Sequence, residues 1–239
     1  DQALRNGAVA VLTDLKGADH FQNIPTLIIE DVRSAGAALS ATFYRNPLRT
    51  MESFGITGTN GKTTVTTLLY EIFSSVGRES GLIGTVETLI GNEVLESTRT
   101  TPEAADLQSL AAAMNERHIR HCIMEVSSHS IELKRLVGSH FAAVGFTNLT
   151  QDHLDFHKDL ESYFKAKAQL FSFEYADIGF INIDNEYGKR LEAISEIPTV
   201  SLSRDSEKAT WHFTSYIPTR KGFDITIRGR DGILFESHT

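Results

Sequence analysis

Apolar residues fall along this chain in two rhythms. Short apolar runs of strand length occupy residues 8–12, 26–29, 54–56, 82–86, 122–126, 142–146 and 178–183. Between several of them, apolar positions return every three or four residues, the period of a helix with one buried face. The first such segment runs from Asp31, an N-cap residue type, to Tyr44, with Val32, Ala35, Leu39 and Phe43 at helical spacing. Another follows a Gly-rich turn, carries Val65, Leu68, Leu69, Ile72, Phe73 and Val76 on one face, and is stopped by Gly77. Further helical patterns cover 103–117 and 160–173. Strands separated by helices predict an α/β fold with a mostly parallel sheet and helices on both faces. The end of the chain changes character: 211–216, 223–228 and 233–235 alternate apolar and polar residues around Gly turns, which predicts antiparallel strands.

Asn46-Pro47 closes the first helical segment. Two strands and a helix cannot complete a core alone, so residues 1–48 read as a partial small α/β N-terminal domain and 49–239 as a central domain. The opening residues look like the middle of a helix followed by a Gly stop, which leads us to expect further chain before Asp1.

Composition narrows the function classes. The 239 residues are 41% hydrophobic and 23% charged, as in a globular protein, and carry a formal net charge of -8. That sign argues against a general nucleic-acid binder, which needs a basic face for phosphates. One cysteine, Cys122, excludes an intramolecular disulfide and fits a reducing compartment. No apolar run approaches the roughly 18 residues of a membrane span. A cytoplasmic protein without membrane insertion, acting as a monomer, is expected.

Gly58-Thr59-Asn60-Gly61-Lys62-Thr63-Thr64 lies between a predicted strand and a long amphipathic helix, the context a phosphate loop requires. Its glycines let backbone N–H groups turn toward phosphate oxygens, while the helix N-terminus adds partial positive charge. Lys62 would bridge phosphates and the Thr63 hydroxyl would face Mg²⁺. The strict pattern asks for glycine where Ile56 stands.

Three further constellations carry chemistry. Glu125 sits inside the apolar run 122–126, where an ionisable group needs a partner, a metal or a helix to cap. Ligands of open α/β sheets bind at such strand ends, which makes Glu125 a Mg²⁺ ligand candidate, with capping of the next helix as the alternative. Asp152, His153, Asp155 and His157 crowd six positions, but the spacing matches no structural zinc set and no cysteine is near; a structural or exposed role competes with a functional one. Lys167 shares a helix face with Phe164 and Phe171, either as a functional amine or as a stem that snorkels to solvent.

These residues together resemble the Mur ligases, ATP-dependent amide-forming enzymes of peptidoglycan precursor assembly. The resemblance runs through 58–64, Thr100-Thr101-Pro102-Glu103, Met124-Glu125-Val126-Ser127-Ser128-His129-Ser130, residues 148–157 and Tyr163-Phe164-Lys165-Ala166-Lys167. The first motif is shared with folylpolyglutamate synthases; the later ones are more particular to the branch that extends a UDP-N-acetylmuramoyl dipeptide by a diamino acid. The resemblance implies ATP phosphates on 58–64; Mg²⁺ on Thr63, Glu125 and His153; and the UDP-muramoyl dipeptide on Thr100, Thr101, Ser127 and Arg135. It also implies that Lys167 is N-carboxylated, as a carbamate that joins the metal site, although Lys165 stands where the family has a small residue. The reaction implied is phosphorylation of a D-glutamyl carboxylate and capture of the acyl phosphate by a diamino acid, meso-diaminopimelate or L-lysine. The expected alternatives are another Mur or folylpolyglutamate ligase, or a module that binds nucleotide and substrate without turnover. Three-domain members are about twice this length, so an amino-acid-binding domain is expected beyond Thr239.

Overall fold

The computed structural model describes residues 2–21, 23–97, 99–152, 156–220 and 222–238. The chain begins with α1 (Gln2–Arg5), β1 (Val11–Thr13), α2 (Leu15–Ala18) and β2 (Thr26–Ile28), and β1 pairs with β2 in parallel as a separate two-stranded sheet. Helix α3 (Val32–Phe43) starts where expected: the Asp31 carboxylate accepts the Ser34 N–H at 2.9 Å. Its buried side was misread, however. Ala37 and Ala41 are buried, whereas Leu39 and Phe43 are 56% and 78% exposed. Small residues win because α3 packs closely on its neighbours: a Cβ at Gly138 would come within 2.5 Å of Ala41 Cβ.

After the short α4 (Pro47–Thr50), the main unit unfolds as β3 (Glu52–Thr57), α5 (Lys62–Ser75), β4 (Ser80–Ile83), β5 (Glu87–Ile90), β6 (Glu93–Glu96), α6 (Ala104–Glu116), β7 (His121–Glu125), α7 (Ser128–Glu132), β8 (Ala143–Phe146), α8 (Leu160–Ala168), β9 (Gly179–Asn182), α9 (Glu186–Ile194) and β10 (Thr199–Ser203). It closes with β11 (Trp211–Pro218), β12 (Phe223–Gly229) and β13 (Leu234–His238). The sheet order is β13-β12-β11-β10-β9-β8-β3-β7-β4-β5-β6. The strands from β11 to β4 are parallel and the two edges are antiparallel. The mostly parallel sheet and the antiparallel end thus stand as expected.

Several details depart from the sequence reading. The run 82–86 breaks at Gly84, and Val86 is 75% exposed, because the chain turns there into the β5–β6 hairpin. The pattern 160–173 splits into α8 and a 3-10 turn, Gln169–Phe171. Helix α9 and strand β10 were not anticipated; α9 is announced by Asn185, whose side chain accepts from Gly188 N–H at 2.8 Å.

Helices cover the two faces of the sheet unequally. Side chains of α6 to α9 enter the core on one face, and those of α5 the core on the other. The larger core joins Leu107, Met114, Cys122, Met124, Phe141, Phe164 and Leu191. On the α5 face a small cluster forms from Leu82, Leu89 and Ile123 beneath Leu69, Tyr70 and Phe73. The predicted apolar face of α5 is therefore half used: Leu68, Ile72 and Val76 are exposed. Beside α5, the sheet face over β8 to β11 forms an apolar groove of about 690 Å³, lined by Phe54, Val65, Leu69, Phe180, Leu202 and Phe213. Cys122 lies fully buried in β7, and burial pushes its thiol up to about 12. Among the described residues no helix is long and apolar enough to cross a membrane.

Candidate functional site

The C-terminal ends of β3, β4 and β7 meet α8 around a polar cavity of about 240 Å³. Of the positions singled out in the sequence, Thr59, Asn60, Gly61, Lys62, Thr63, Thr100, Glu125, Ser127 and Lys167 line it. Gly58, Thr64, Thr101 and Arg135 do not. His153 lies outside the described residues, together with Leu154 and Asp155.

The loop between β3 and α5 has the strand–turn–helix form that its glycines predict. Gly61 is the N-cap of α5 with φ +87°, a left-handed conformation that suits glycine. Gly58 has φ +146°, and a Cβ there would lie 1.9 Å from Thr147 Oγ1. The loop is held from outside by residues whose role the sequence did not reveal. Asn60 N–H donates to Asn148 Oδ1 at 3.0 Å, Thr147 Oγ1 donates to Asn60 O at 2.6 Å, and Thr59 N–H donates to Asn148 O at 2.9 Å. Ile56, where the strict pattern has glycine, is a buried strand residue. Lys62 curls back, its Nζ donating to Gly58 O at 3.0 Å and Thr59 O at 2.8 Å. Burial lowers its pKa, while the negative charges of Glu125 and Asp152 oppose that shift.

Glu125 is 1% exposed at the end of β7. Its Oε1 accepts from Thr63 Oγ1 at 3.0 Å and from Thr85 N–H at 2.8 Å, and its Oε2 accepts from Thr85 Oγ1 at 3.1 Å. The capping alternative fails. Ser127 caps α7, accepting the Ser130 N–H at 3.1 Å. Thr85 was invisible in the sequence because its importance arises from the turn at Gly84, where a Cβ would approach Glu125 Oε1 to 2.8 Å. A buried carboxylate held by hydroxyls and one N–H, with no ion pair among the described residues, suits a hard cation such as Mg²⁺. Among the described residues no three His, Cys, Asp or Glu cluster as a metal cage. Mg²⁺ commonly needs only one or two carboxylates plus phosphate oxygens and water, so the donor set fits.

Thr101 and Arg135 brace the wall rather than face the cavity. Thr101 Oγ1 donates to Glu125 O at 2.9 Å and accepts the Ser127 N–H at 3.1 Å. Arg135 donates to Thr101 O at 2.9 Å and pairs with Glu103 at 2.7 Å. Thr100 lines the cavity, its Oγ1 2.9 Å from Thr85 Oγ1.

Lys167 is 1% exposed, so the snorkelling alternative is also excluded. Asp159 starts its helix by accepting the Ser162 N–H at 2.7 Å. Lys167 Nζ donates to Gly58 O at 2.9 Å and sits 4.4 Å above the Tyr163 ring. The expected aromatic neighbours were Phe164 and Phe171; Phe164 instead packs under Arg190 and beside Tyr187, and Phe171 meets Phe146 edge-on. Burial, reinforced by the charge of Lys62 and opposed by Asp152, lowers the Lys167 pKa to about 7. Lys165, by contrast, points outward, its side chain 70% exposed and 3.6 Å from Glu161.

Known proteins share this fold. The Mur ligase middle domain matches residues 56–238. A UDP-N-acetylmuramoyl-L-alanyl-D-glutamate–2,6-diaminopimelate ligase of Streptomyces avermitilis is 46% identical over 213 residues, which are 88% of this chain and 42% of that protein. A solved structure of a ligase with that name superposes with TM-score 0.86 at 25% identity, over 99% of this chain and 48% of the other. The MurF ligase of Thermotoga maritima, solved with ADP, shares the fold at TM-score 0.64 and 18% identity, over 99% of this chain and 50% of its own. The chain spans less than half the length of the curated relative it matches. Matched by the Mur ligase middle domain over most of its length, this chain belongs to the Mur ligase family.

Proposed function

We propose that this chain supplies the nucleotide-binding part, and some of the UDP-substrate-binding part, of an ATP-dependent ligase that adds a diamino acid to UDP-N-acetylmuramoyl-L-alanyl-D-glutamate. Residues 1–48 would belong to the UDP-binding domain and 49–239 to the central ATP-binding domain. The observation that carries the reading is the convergence of Lys62, the Thr63–Glu125 pair and Lys167 on the phosphate loop. The relatives' names favour 2,6-diaminopimelate as the added residue, with L-lysine as the competing choice.

The residues divide the work by charge. Gly58 to Thr64 would hold the phosphates of ATP through backbone N–H groups and the N-terminus of α5. Lys62 would release Gly58 and Thr59 to meet the β- and γ-phosphates, neutralising charge as the γ-phosphoryl passes to the D-glutamyl carboxylate. Thr63, Glu125 and His153 would hold Mg²⁺, which, when bound, supplies further neutralisation of phosphate charge. Thr100 and Ser127 would meet the muramoyl dipeptide, with Thr101 and Arg135 fixing their loops from behind. The amine of the diamino acid would then attack the acyl phosphate, expelling phosphate and leaving an amide. At neutral pH a large share of Lys167 is free amine. Its nitrogen lone pair can add to the carbon of CO₂ with loss of one proton, and the resulting carbamate would place an anion beside the metal site. A cytoplasmic location follows from nucleotide substrates of this kind.

ADP release coupled to an indicator tests the reading. It should require ATP, Mg²⁺, the UDP-dipeptide and a diamino acid together, and diaminopimelate should outpace L-lysine. The alternative reading is a module that binds ATP and the UDP-dipeptide without turnover. Saturable binding of both ligands without ADP release would select it.

A further inference from the structure

A second cluster lies behind the cavity wall. His157 is 4% exposed, and its Nε2 is 2.8 Å from Oγ of Ser128, itself 1% exposed. The imidazole packs against Tyr163, with ring centres 4.9 Å apart and planes 37° apart, and against Phe156 edge-on at 5.0 Å. Tyr163 is the ring beneath Lys167 Nζ, and its hydroxyl lies 3.4 Å from Thr59 Oγ1 in the phosphate loop. Ser128 and Tyr163 both line the cavity, on the β7 side and the α8 side respectively. One imidazole therefore touches both walls: its nitrogen holds the hydroxyl next to Ser127, and its face holds the ring that floors Lys167.

We propose that His157 is a positioning residue of the ligase reaction, fixing the Ser127–Ser128 turn through its ring nitrogen and Lys167 through the Tyr163 ring. This rests on the reading of the cavity as the place where UDP-dipeptide and nucleotide phosphate meet. A flat, two-sided group suits the task. The hydrogen bond sets direction for a buried hydroxyl that is costly to leave unpaired, and the tilted face-on contact holds the Tyr163 ring close. Neither requires contact between His157 and the reacting atoms.

The two contacts can be removed separately. His157→Phe keeps the ring and loses the nitrogen; His157→Gln keeps a polar nitrogen near the Nε2 position and loses the ring. His157→Phe should raise KM for the UDP-dipeptide, and weaken its calorimetric affinity, about 10-fold with kcat within about 2-fold, the scale of one buried hydrogen bond. His157→Gln should reverse the split, lowering kcat about 10-fold with KM and affinity held within about 2-fold. Ser128→Ala should reproduce His157→Phe, and the double variant should be no worse than either single one. Thermal melting of each variant checks that it folds. Equal losses in KM and kcat for both His157 variants, tracking their melting temperatures, or additive effects of Ser128→Ala and His157→Phe, would overturn the inference. Binding of the UDP-dipeptide without turnover would remove the ligase reading alone and leave the affinities to decide; an absence of binding would remove both.

Discussion

Lys62 and Lys167 reach the same carbonyl oxygen from opposite walls of the cavity, at 3.0 and 2.9 Å, yet they live in different surroundings. Lys62 is the first residue of α5, partly open to solvent, with two carboxylates opposing the effect of its burial. Lys167 stands within α8, sealed over an aromatic ring and repelled by the charge of Lys62. One position favours a cation; the other favours a neutral amine open to chemistry on nitrogen. Depth and neighbours assign the task, since residue type and acceptor are shared.

The largest expected effect separates the two directly. In the proposed ligase reaction, Lys62→Ala should cost about 10³-fold in turnover, the scale of one lost charge contact to a transferring phosphoryl group, while the melting temperature stays nearly unchanged. A variant that binds ATP and releases ADP normally would remove the phosphate-loop assignment. Gly58→Ala should come next, because it disturbs the acceptor both lysines use. Its Cβ would collide with Thr147 Oγ1 in a backbone region that disfavours alanine, costing about 2–4 kcal/mol of stability. Urea unfolding measures it, and a loss under about 0.5 kcal/mol would show that the loop relaxes freely.

The third prediction exploits pH. The folded pKa of Lys167 is about 7, against 10.5 for an unburied lysine. Below pH 7 both folded and unfolded chains are protonated, and the folded one carries a buried cation. Between pH 7 and 10.5 the folded chain sheds that proton first, so this penalty fades as pH rises. Lys167→Met should therefore raise the melting temperature most near pH 6, by about 2–4 °C for each kcal/mol recovered, and hardly at all near pH 10. A gain independent of pH would contradict a buried, shifted amine. Lys165→Ala sets the lower bound. An exposed pair at 3.6 Å from Glu161 is worth less than about 0.5 kcal/mol, and neither melting nor turnover should move measurably.

What could be read from the sequence follows the same division between local and long-range causes. The β3–loop–α5 unit was legible because glycine conformations and a lysine at fixed spacing act within seven residues. Glu125 was legible because a carboxylate in an apolar run demands an explanation. Thr85, Thr147 and Asn148 were not identified as supports, since each acts across the fold through contacts that spacing along the chain does not encode. The faces of α3 and α5 were misjudged for a related reason. Hydrophobic periodicity finds an apolar stripe but does not say what lies against it; close packing chose Ala37 and Ala41 in one helix, and Leu68, Ile72 and Val76 stayed outside in the other. Placing Phe164 beside Lys167 failed because helical spacing alone does not distinguish i-3 from i-4. The i-4 residue, Tyr163, holds that position.

Cys122 has a practical corollary for spectroscopy. It is the sole cysteine of the chain, and its thiol is both enclosed and pushed up to about 12, so almost no thiolate exists to react with maleimides at neutral pH. A single cysteine introduced on the outer side of α5, at Ile72 for example, would thus be labelled selectively while the native thiol stays silent. A dye there would report motion of the helix whose first residue is Lys62 without any prior removal of a core side chain.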